Sequence, residues 1–408
     1  MKFRWILMVA LAAALVWSAS EWLFLKRYSS FLLNGYDAHT APLDWFEPLY
    51  PLAHGEGSPL PVASQPSIPI ALLSEIEAYA EAQDSMALIV VRNGKVELER
   101  YWPGYDRESL FNPQSMSKTV LAMAVGIALA DGSIESVDTP ISRYLDEWRD
   151  DLRGEITIRN LLQMSGGLAQ ISTDYRPVPW SKGVWQHFGT DFDGPILDLE
   201  LVDAPGTRFD YNNNENNLLG LVLERATGQS YQEFVGERLW RPADLGPAFM
   251  YLEAPGGSVM KSCCILSRPL DWAKLGLLIL NDGRLGGQQL LPAGWAREMV
   301  QPAATWEGYG YQIWRGVLDQ SGGNPTPKTW WASEGFASDD VVHFLGHGYQ
   351  HVWVIPHLGL VAVRANRVWP REPWDQTRIP NILIRGMEKA AAEPLTEKPG
   401  AALQPGSS

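Results

Sequence analysis

Strand-like segments occur towards both ends of this chain, and helical patterns fill the sequence between them. The first strands form a hairpin signal, because apolar runs over 86–91 and 96–101 flank Arg92-Asn93-Gly94-Lys95 and Asn-Gly favours a type I′ turn. Strand-like runs return at 309–314, 341–345, 350–355 and 359–365. This order predicts an α+β fold in which the terminal strands share one antiparallel sheet and the middle of the chain forms a helical lobe.

Size and charge narrow the functional classes. With 408 residues, 46% hydrophobic and 20% charged, the chain has a globular composition and is long enough for one large or two moderate domains. The net charge of −14 speaks against nucleic acid as a partner, because phosphates would repel such a surface. The two cysteines, Cys263 and Cys264, are adjacent, so they cannot form a long-range disulfide with each other, and small buried residues in a tight segment are expected.

The N-terminal residues have the pattern of an export segment. Lys2 and Arg4 precede an apolar run over 5–17, and Ser18-Ala19-Ser20 offers the small residues that a signal peptidase accepts. Apolar residues resume after residue 21, so 5–25 could instead stay in the membrane as an anchor. We expect residues 1–27 to be a signal peptide or an anchor, with the rest of the chain outside the cytoplasm, in the periplasm or attached to the inner membrane.

The remaining domain boundaries follow from composition. Residues 28–68 are rich in proline and aromatic residues and predict an extended linker. The folded domain is expected over 69–389, and 390–408, rich in Ala, Pro, Gly and Ser, predicts a disordered tail.

Ser115-Met116-Ser117-Lys118 is the strongest chemical signal. Asn112-Pro113 leads the chain into a predicted helix over 115–130, whose first turn offers free N–H groups to an oxyanion. The small apolar residues that follow predict a buried helix, which would desolvate Lys118 and lower its pKa. A lysine of this kind can accept the proton of Ser115 and make it a nucleophile. The alternative is a capping serine beside a solvated lysine.

The same spacing occurs again at Ser258-Val259-Met260-Lys261. A chain of this length is expected to contain about one or two such matches by chance. The second copy follows Pro255-Gly256-Gly257 and has no good helix entry. Spacing alone therefore does not identify a nucleophile.

Tyr211-Asn212-Asn213 lies in a turn just before a helix predicted over 217–226. A phenol brought next to Ser115 and Lys118 could pass a proton to the leaving group, and the Asn213 amide could orient substrate. Without those partners the stretch would be an ordinary polar helix entry.

Gly346-His347-Gly348 opens the strand over 350–355, and a backbone N–H there could complete an oxyanion hole with the N–H of Ser115. The alternative is an ordinary glycine-rich turn. Histidines 343, 347 and 351 share one face of a predicted strand, but zinc sites draw ligands from several segments, so we expect no metal. Lys328-Thr329 is not a Lys-Thr-Gly motif, because Trp330 stands at the third position.

Together, Ser115-x-x-Lys118, Tyr211-x-Asn213 and the late glycine-rich strand resemble the serine β-lactamase-like superfamily over roughly residues 70–370. Supporting stretches are 156–168, 218–220 and 271–276. Within the superfamily the resemblance is to class C β-lactamases, family VIII esterases, D-stereospecific peptidases and 6-aminohexanoate-dimer hydrolases.

The resemblance implies an antiparallel sheet flanked by helices, an inserted all-helical lobe over about 132–290, and a site in the cleft between them. It implies that Ser115 is the nucleophile, Lys118 its base partner and Tyr211 an acid/base. Asn213 would bind substrate, and His347 or Gly348 would supply the second oxyanion N–H. Without the lysine of a Lys-Thr-Gly motif, efficient β-lactam hydrolysis is not expected.

The leading hypothesis is an exported serine hydrolase that cleaves a small amide or ester through an acyl-enzyme and needs no cofactor. One alternative is a D,D-peptidase or penicillin-binding protein acting on peptidoglycan peptides. Another is a catalytically silent cell-envelope binding protein. The expected partners are a small-molecule amide or ester and, if residues 5–25 are retained, the membrane.

Overall fold

The structure is a computed structural model that describes residues 17, 20–35, 39–171, 181–317, 332–370 and 374–392. Within these ranges the helices are α1 (Trp22–Asn34), α2 (Ile70–Ala82), α3 (Ser117–Ala130), α4 (Ile158–Leu162), α5 (Lys182–Phe188), α6 (Gly194–Leu197), α7 (Asn213–Thr227), α8 (Tyr231–Val235), α9 (Pro269–Leu280), α10 (Trp295–Met299) and α11 (Arg378–Ala392). The strands are β1 (Leu49–Pro51), β2 (Ala87–Arg92), β3 (Lys95–Tyr101), β4 (Phe249–Tyr251), β5 (Ile265–Leu266), β6 (Arg284–Leu285), β7 (Gln288–Gln289), β8 (Trp314–Arg315), β9 (Val342–Gly346), β10 (Gln350–Ile355) and β11 (Leu360–Ala365).

Strands from both ends of the chain form one antiparallel sheet, as the sequence predicts. Its order is β3-β2-β11-β10-β9-β8, so the last long strand, β11, pairs with the early strand β2. Asn93 and Gly94 both have positive φ, 49° and 76°, which confirms the tight turn between β2 and β3. The strand expected over 309–314 is reduced to its last residue and Arg315, because the chain turns at Gln312, whose φ is 54°.

Helices cover both faces of this sheet. On one face α9 packs against β2, β10 and β11. On the other, α2 and α11 pack against each other and cover a core that includes Trp353 and Leu360. Helix α9 thus packs on the sheet, although its residues fall within the range of about 132–290 that was expected for the helical lobe.

Helix α3 is buried in the domain and contacts α7, α8 and α10. Twelve of its fourteen residues are buried, in agreement with its run of small apolar side chains. The α-helix begins at Ser117, and a 3-10 turn over Gln114–Met116 precedes it. Ser115 therefore lies in this turn, just before the helix rather than at its first residue.

The residues before the main domain are partly folded onto it. Arg27 of α1 is fully buried and donates hydrogen bonds to four backbone carbonyls, those of Glu47, Gly189, Leu252 and Glu253. Nearby Phe24 stacks on Trp185 with ring centroids 4.0 Å apart.

The linker expected over 28–68 is therefore not extended throughout. It contains the second half of α1, a 3-10 turn over Leu43–Phe46, and β1, which pairs with β4 in a small sheet completed by β5. Strand pairing and the carbonyls around Arg27 hold this segment in place, and neither contact has a local sequence signal.

Most of the expected export segment, residues 1–16, 18 and 19, lies outside the described residues. Of the disordered tail expected over 390–408, residues 390–392 instead form the end of α11, and the residues from 393 onwards lie outside the described ranges. In the part of the chain that is described, no helix is both long and apolar enough to cross a bilayer.

Candidate active site

The nucleophile candidate Ser115 lies in a short turn that the sheet supports. This turn, Gln114–Met116, contacts β9 and β10. Gln114 has a positive φ of 53°, and its N–H donates to Oδ1 of Asn112 at 2.9 Å. A non-glycine residue in the left-handed region costs of order 1 kcal/mol or more and persists only where its surroundings enforce it. The sheet and Asn112 together hold the turn in place, and Ser115 within it is only partly buried.

Lys118 is almost completely buried directly behind Ser115. Its side-chain amine, Nζ, lies 2.8 Å from Oγ of Ser115 and donates to the carbonyl of Ser262 at 2.7 Å. Burial disfavours the charged amine and lowers the pKa of Lys118 to about 7. At neutral pH a substantial fraction of this amine is therefore uncharged and has a lone pair for the hydroxyl proton of Ser115.

Tyr211 completes a cluster of three candidate catalytic side chains with Ser115 and Lys118. Nζ of Lys118 lies 5.2 Å from the centroid of the Tyr211 ring. Burial raises the pKa of the phenol well above its usual value, and a hydrogen bond with Ser115 offsets only part of this shift. The phenol is therefore protonated at neutral pH and can act as a proton donor.

Asn213 is the first residue of α7, and its side chain is exposed. The helix cap is the preceding residue, Asn212, which is buried and whose Oδ1 accepts a hydrogen bond from the Asn214 N–H at 3.0 Å. Because Asn212 performs the capping, the Asn213 amide is left at the surface, two residues from Tyr211.

The glycine-rich turn between β9 and β10 lies against the nucleophile turn. A Cβ on Gly346 would come within 2.1 Å of the carbonyl of Pro113, so only glycine allows this approach. His347 is exposed, and its ring lies 5.0 Å from that of Trp369. Gly348 has φ of 77°, and a Cβ there would come within 2.2 Å of the His39 ring.

His39 and Glu215 also belong to this region, and neither has a sequence pattern that indicates it. His39, from the N-terminal segment, is buried against the β9–β10 turn. Glu215, on the first turn of α7, is fully buried and accepts hydrogen bonds from the N–H groups of Gly166 and Leu168 at 2.9 and 3.3 Å. Burial raises the pKa of its carboxyl to about 8. Glu215 thus fixes the 165–168 loop against α7, the helix that follows Tyr211. In the sequence it is simply an acidic residue near a helix start, a common position that does not indicate this contact.

Histidines 343, 347 and 351, which were expected on one face of a single strand, lie on two strands and the turn between them. His343 is on β9, His351 on β10, and His347 in the turn between them. His343 and His351 are buried, and burial lowers the pKa of both imidazoles. Nε2 of His351 accepts a hydrogen bond from the indole N–H of Trp374 at 3.0 Å, so the side chains of His351 and Trp374 both belong to the core. Lys328-Thr329 lies outside the described residues.

The second Ser-x-x-Lys copy forms a separate cluster around the buried Lys261. Nζ of Lys261 lies 2.6 Å from Oγ of Ser258, and it pairs with carboxylate oxygens of Asp193 at 2.9 Å and of Glu224 at 3.4 Å. The next residue is Ser262, whose carbonyl accepts the hydrogen bond from Lys118. The cluster thus holds the segment that contacts the catalytic candidate pair.

The adjacent cysteines are joined by a disulfide, where only small buried residues were expected. Cys264 is buried and has φ of 76°, and Cys263 is partly exposed. Among the described residues there is no free cysteine.

The chain matches a known protein family over most of its length. The family model described as Beta-lactamase matches residues 74–383. The 6-aminohexanoate-dimer hydrolase of Paenarthrobacter ureafaciens is 24% identical over 315 residues, which cover 73% of this chain and 76% of that protein.

Two solved structures share the fold. A putative 6-aminohexanoate-dimer hydrolase from Bacillus anthracis superposes with a TM-score of 0.68 at 18% identity, covering 90% of this chain and 95% of its own. A putative β-lactamase from Bacteroides dorei superposes with a TM-score of 0.62 at 19% identity, covering 78% and 98%.

Proposed function

This chain belongs to the beta-lactamase family and is a serine-type hydrolase, and from that premise we propose that it cleaves a small amide or ester through an acyl-enzyme on Ser115. The observation that carries the proposal is the fully buried amine of Lys118, 2.8 Å from Oγ of Ser115. We propose a linear substrate of the 6-aminohexanoate-dimer or short-ester class.

In the proposed acylation, the uncharged amine of Lys118 takes the proton of Ser115 as Oγ bonds to the substrate carbonyl carbon. The carbonyl oxygen becomes an oxyanion. The backbone N–H groups of Ser115 and of His347 or Gly348 would hold it, since the β9–β10 turn lies against the nucleophile turn. Asn213, exposed at the start of α7, would orient the substrate.

Tyr211 would then donate its phenolic proton to the leaving nitrogen or oxygen as the tetrahedral intermediate breaks its bond to the leaving group. The proton that Lys118 took from Ser115 restores the phenol. In deacylation a water attacks the acyl carbon, one proton of that water passes to the same relay, and Oγ of Ser115 is released with a proton. The protonated phenol and the partly uncharged amine suit these two roles at neutral pH.

A fluorophosphonate probe and a substrate panel test this proposal. Mass spectrometry is expected to find one adduct, on Ser115, and no adduct on Ser258. The panel contains nitrophenyl esters, 6-aminohexanoate dimers, D-amino-acid amides and β-lactams, and turnover is expected for the first two. Absence of an adduct on Ser115 in folded protein would refute the acyl-enzyme, while stable penicillin labelling would favour a D,D-peptidase instead.

We also propose that the chain is exported. The support is the basic start followed by the apolar run over 5–17, together with the Cys263–Cys264 disulfide, a bond that persists in oxidising compartments. Cell fractionation with protease accessibility of the full chain tests the proposal. A protease-protected protein in the cytoplasmic fraction would contradict it.

A further inference from the structure

The segment that carries the disulfide touches the nucleophile region at three points. The carbonyl of Ser262 accepts the hydrogen bond from Nζ of Lys118 at 2.7 Å. Sγ of Cys264 accepts a hydrogen bond from Nδ2 of Asn112 at 3.8 Å, and the N–H of Ile265 donates to Oγ of Ser117 at 3.2 Å. One short stretch, 262–265, therefore contacts Asn112 before the Ser115–Lys118 pair, Ser117 within it, and Lys118 itself.

Asn112 transmits this contact to the nucleophile itself. Its Nδ2 contacts the disulfide, while its Oδ1 accepts the N–H of Gln114, the residue with positive φ just before Ser115. A shift of the disulfide sulfur would therefore remove a support from the turn that holds Ser115. The same shift would move the carbonyl that Lys118 contacts.

The backbone of Cys264 needs a constraint to keep this position. Its φ of 76° lies in the left-handed region, which costs a residue with a Cβ about 1–2 kcal/mol. The covalent bond to the neighbouring Cys263 removes the freedom of both side chains and enforces this turn. Once the bond is broken, Cys264 can relax to negative φ.

We propose that the Cys263–Cys264 disulfide is a positioning device for the Ser115–Lys118 pair, and that its reduction by a dithiol switches the enzyme to a slower form. A thiolate of the reductant attacks Sγ of the partly exposed Cys263 and expels Sγ of Cys264. The second thiol of the reductant then closes its own disulfide. Two electrons and two protons reach the protein, which ends with two thiols. The inference rests on the proposed acyl-enzyme.

The switch predicts a defined change in rate. Misplacing catalytic atoms by about 1 Å commonly costs on the order of 10²-fold in rate. We expect full reduction by dithiothreitol to lower kcat/KM for a nitrophenyl ester by about tenfold or more. The midpoint of the pH–rate profile should also shift, because Lys118 loses its carbonyl partner. Reoxidation of the same sample should restore both.

Two double variants separate positioning from mere stability. Cys263→Ala/Cys264→Ala lacks the bond and keeps a Cβ at positive φ, whereas Cys263→Ala/Cys264→Gly lacks the bond but adopts that backbone freely. The alanine pair should resemble the reduced enzyme. The glycine variant also lacks the Cys264 sulfur that Asn112 contacts, so it should recover only the part of the rate and of the pH profile that depends on the position of the Ser262 carbonyl. Neither variant should respond to dithiothreitol.

The experiment compares kcat/KM, pH profile and circular dichroism for oxidised, reduced and reoxidised wild type and for both variants. Equal rates in oxidised and reduced enzyme, or equal rates in the two variants, would overturn the positioning role. Alkylation of both cysteines without reductant would overturn the bond itself. Failure of the proposed function looks different, since oxidised wild type would then show no hydrolysis that Ser115→Ala abolishes.

Discussion

The two Ser-x-x-Lys copies have the same spacing and almost the same contact, but opposite surroundings. Nζ lies 2.8 Å from the serine Oγ in the 115 copy and 2.6 Å in the 258 copy, and both lysines are buried. Lys261 has two carboxylates beside it, Asp193 and Glu224. Lys118 hydrogen-bonds a backbone carbonyl, and no carboxylate of the described residues forms an ion pair with it.

This difference decides what each serine can do. An ion-paired ammonium has no lone pair with which to take a proton, and Oγ of Ser258 already donates to Asp193 at 3.0 Å. The desolvated amine of Lys118 has a pKa of about 7 and can accept the proton of Ser115. The spacing brings the lysine amine and the serine hydroxyl together in both copies. The neighbouring charges suit the 115 copy to the proposed role of nucleophile and base, and they make the 258 copy an ion cluster.

The largest expected effect is the loss of activity in Ser115→Ala. Because the proposed acyl-enzyme forms on Oγ of Ser115, kcat/KM for a nitrophenyl ester should fall by about 10³-fold or more. The matched variant Ser258→Ala should keep kcat/KM within about threefold of wild type, because Ser258 lies in the ion cluster. A similar loss in both variants would show that the copies are not functionally distinct.

Exchanging each lysine for methionine should separate activity from stability. Lys118→Met should lose about 10³-fold in kcat/KM without loss of stability, because a desolvated amine is replaced by an apolar side chain of similar length. Lys261→Met leaves the partly exposed carboxylates of Asp193 and Glu224 without their buried cation and should cost about 1–3 kcal/mol of unfolding free energy. Ester hydrolysis and urea denaturation check the two expectations. An inactive but fully stable Lys261→Met would contradict the comparison.

The pH dependence reports the environment of Lys118 directly. Acylation needs the uncharged amine, so with a pKa of about 7 the value of kcat/KM should rise about tenfold from pH 6 to pH 8 and then level. A stopped-flow acylation profile measures this rise. A flat profile between pH 6 and 8 would show that Lys118 is not the base.

The same shift affects stability. In the unfolded chain the lysine binds its proton up to its ordinary pKa of 10.5, while in the folded chain it releases the proton near 7. The unfolded state therefore binds more protons between these values, and this group makes stability rise with pH from about 7 to 10.5. The stability difference between wild type and Lys118→Met, measured by urea denaturation across that range, isolates the contribution.

Short sequence patterns predicted those features of the site that depend on neighbouring residues in the chain. The helix entry at Asn112-Pro113 and the small apolar residues of α3 were sufficient to favour Ser115 over Ser258, and the structure buries Lys118 as that pattern requires. The fold was also predictable, since strands at both ends with helices between them leave few ways to close one sheet. The family resemblance over about 70–370 is confirmed by the match over 74–383.

Contacts between distant segments had no comparable signal. The carbonyl that Lys118 contacts belongs to Ser262, 144 residues away, and any residue type could supply it. The packing of α1 depends on hydrogen bonds from Arg27 to carbonyls up to 226 positions away in the chain. Because these contacts leave no local pattern, the residues of α1 have the sequence pattern of the end of an apolar segment followed by a linker. The bond between Cys263 and Cys264 likewise depends on a local backbone turn, and two adjacent cysteines in a sequence do not predict that turn.

The smallest expected effect tests whether the two copies influence each other. Asp193→Asn keeps the shape of the side chain and leaves Glu224 as the carboxylate partner of Lys261, so the unfolding free energy should fall by only about 1 kcal/mol. Because Lys261 adjoins Ser262, a displaced cluster would also move the Ser262 carbonyl that Lys118 contacts. A change in kcat/KM would report this movement. We expect kcat/KM within about threefold of wild type. A loss of tenfold or more at nearly unchanged stability would mean that the ion cluster positions Lys118, and that the two copies work as one unit.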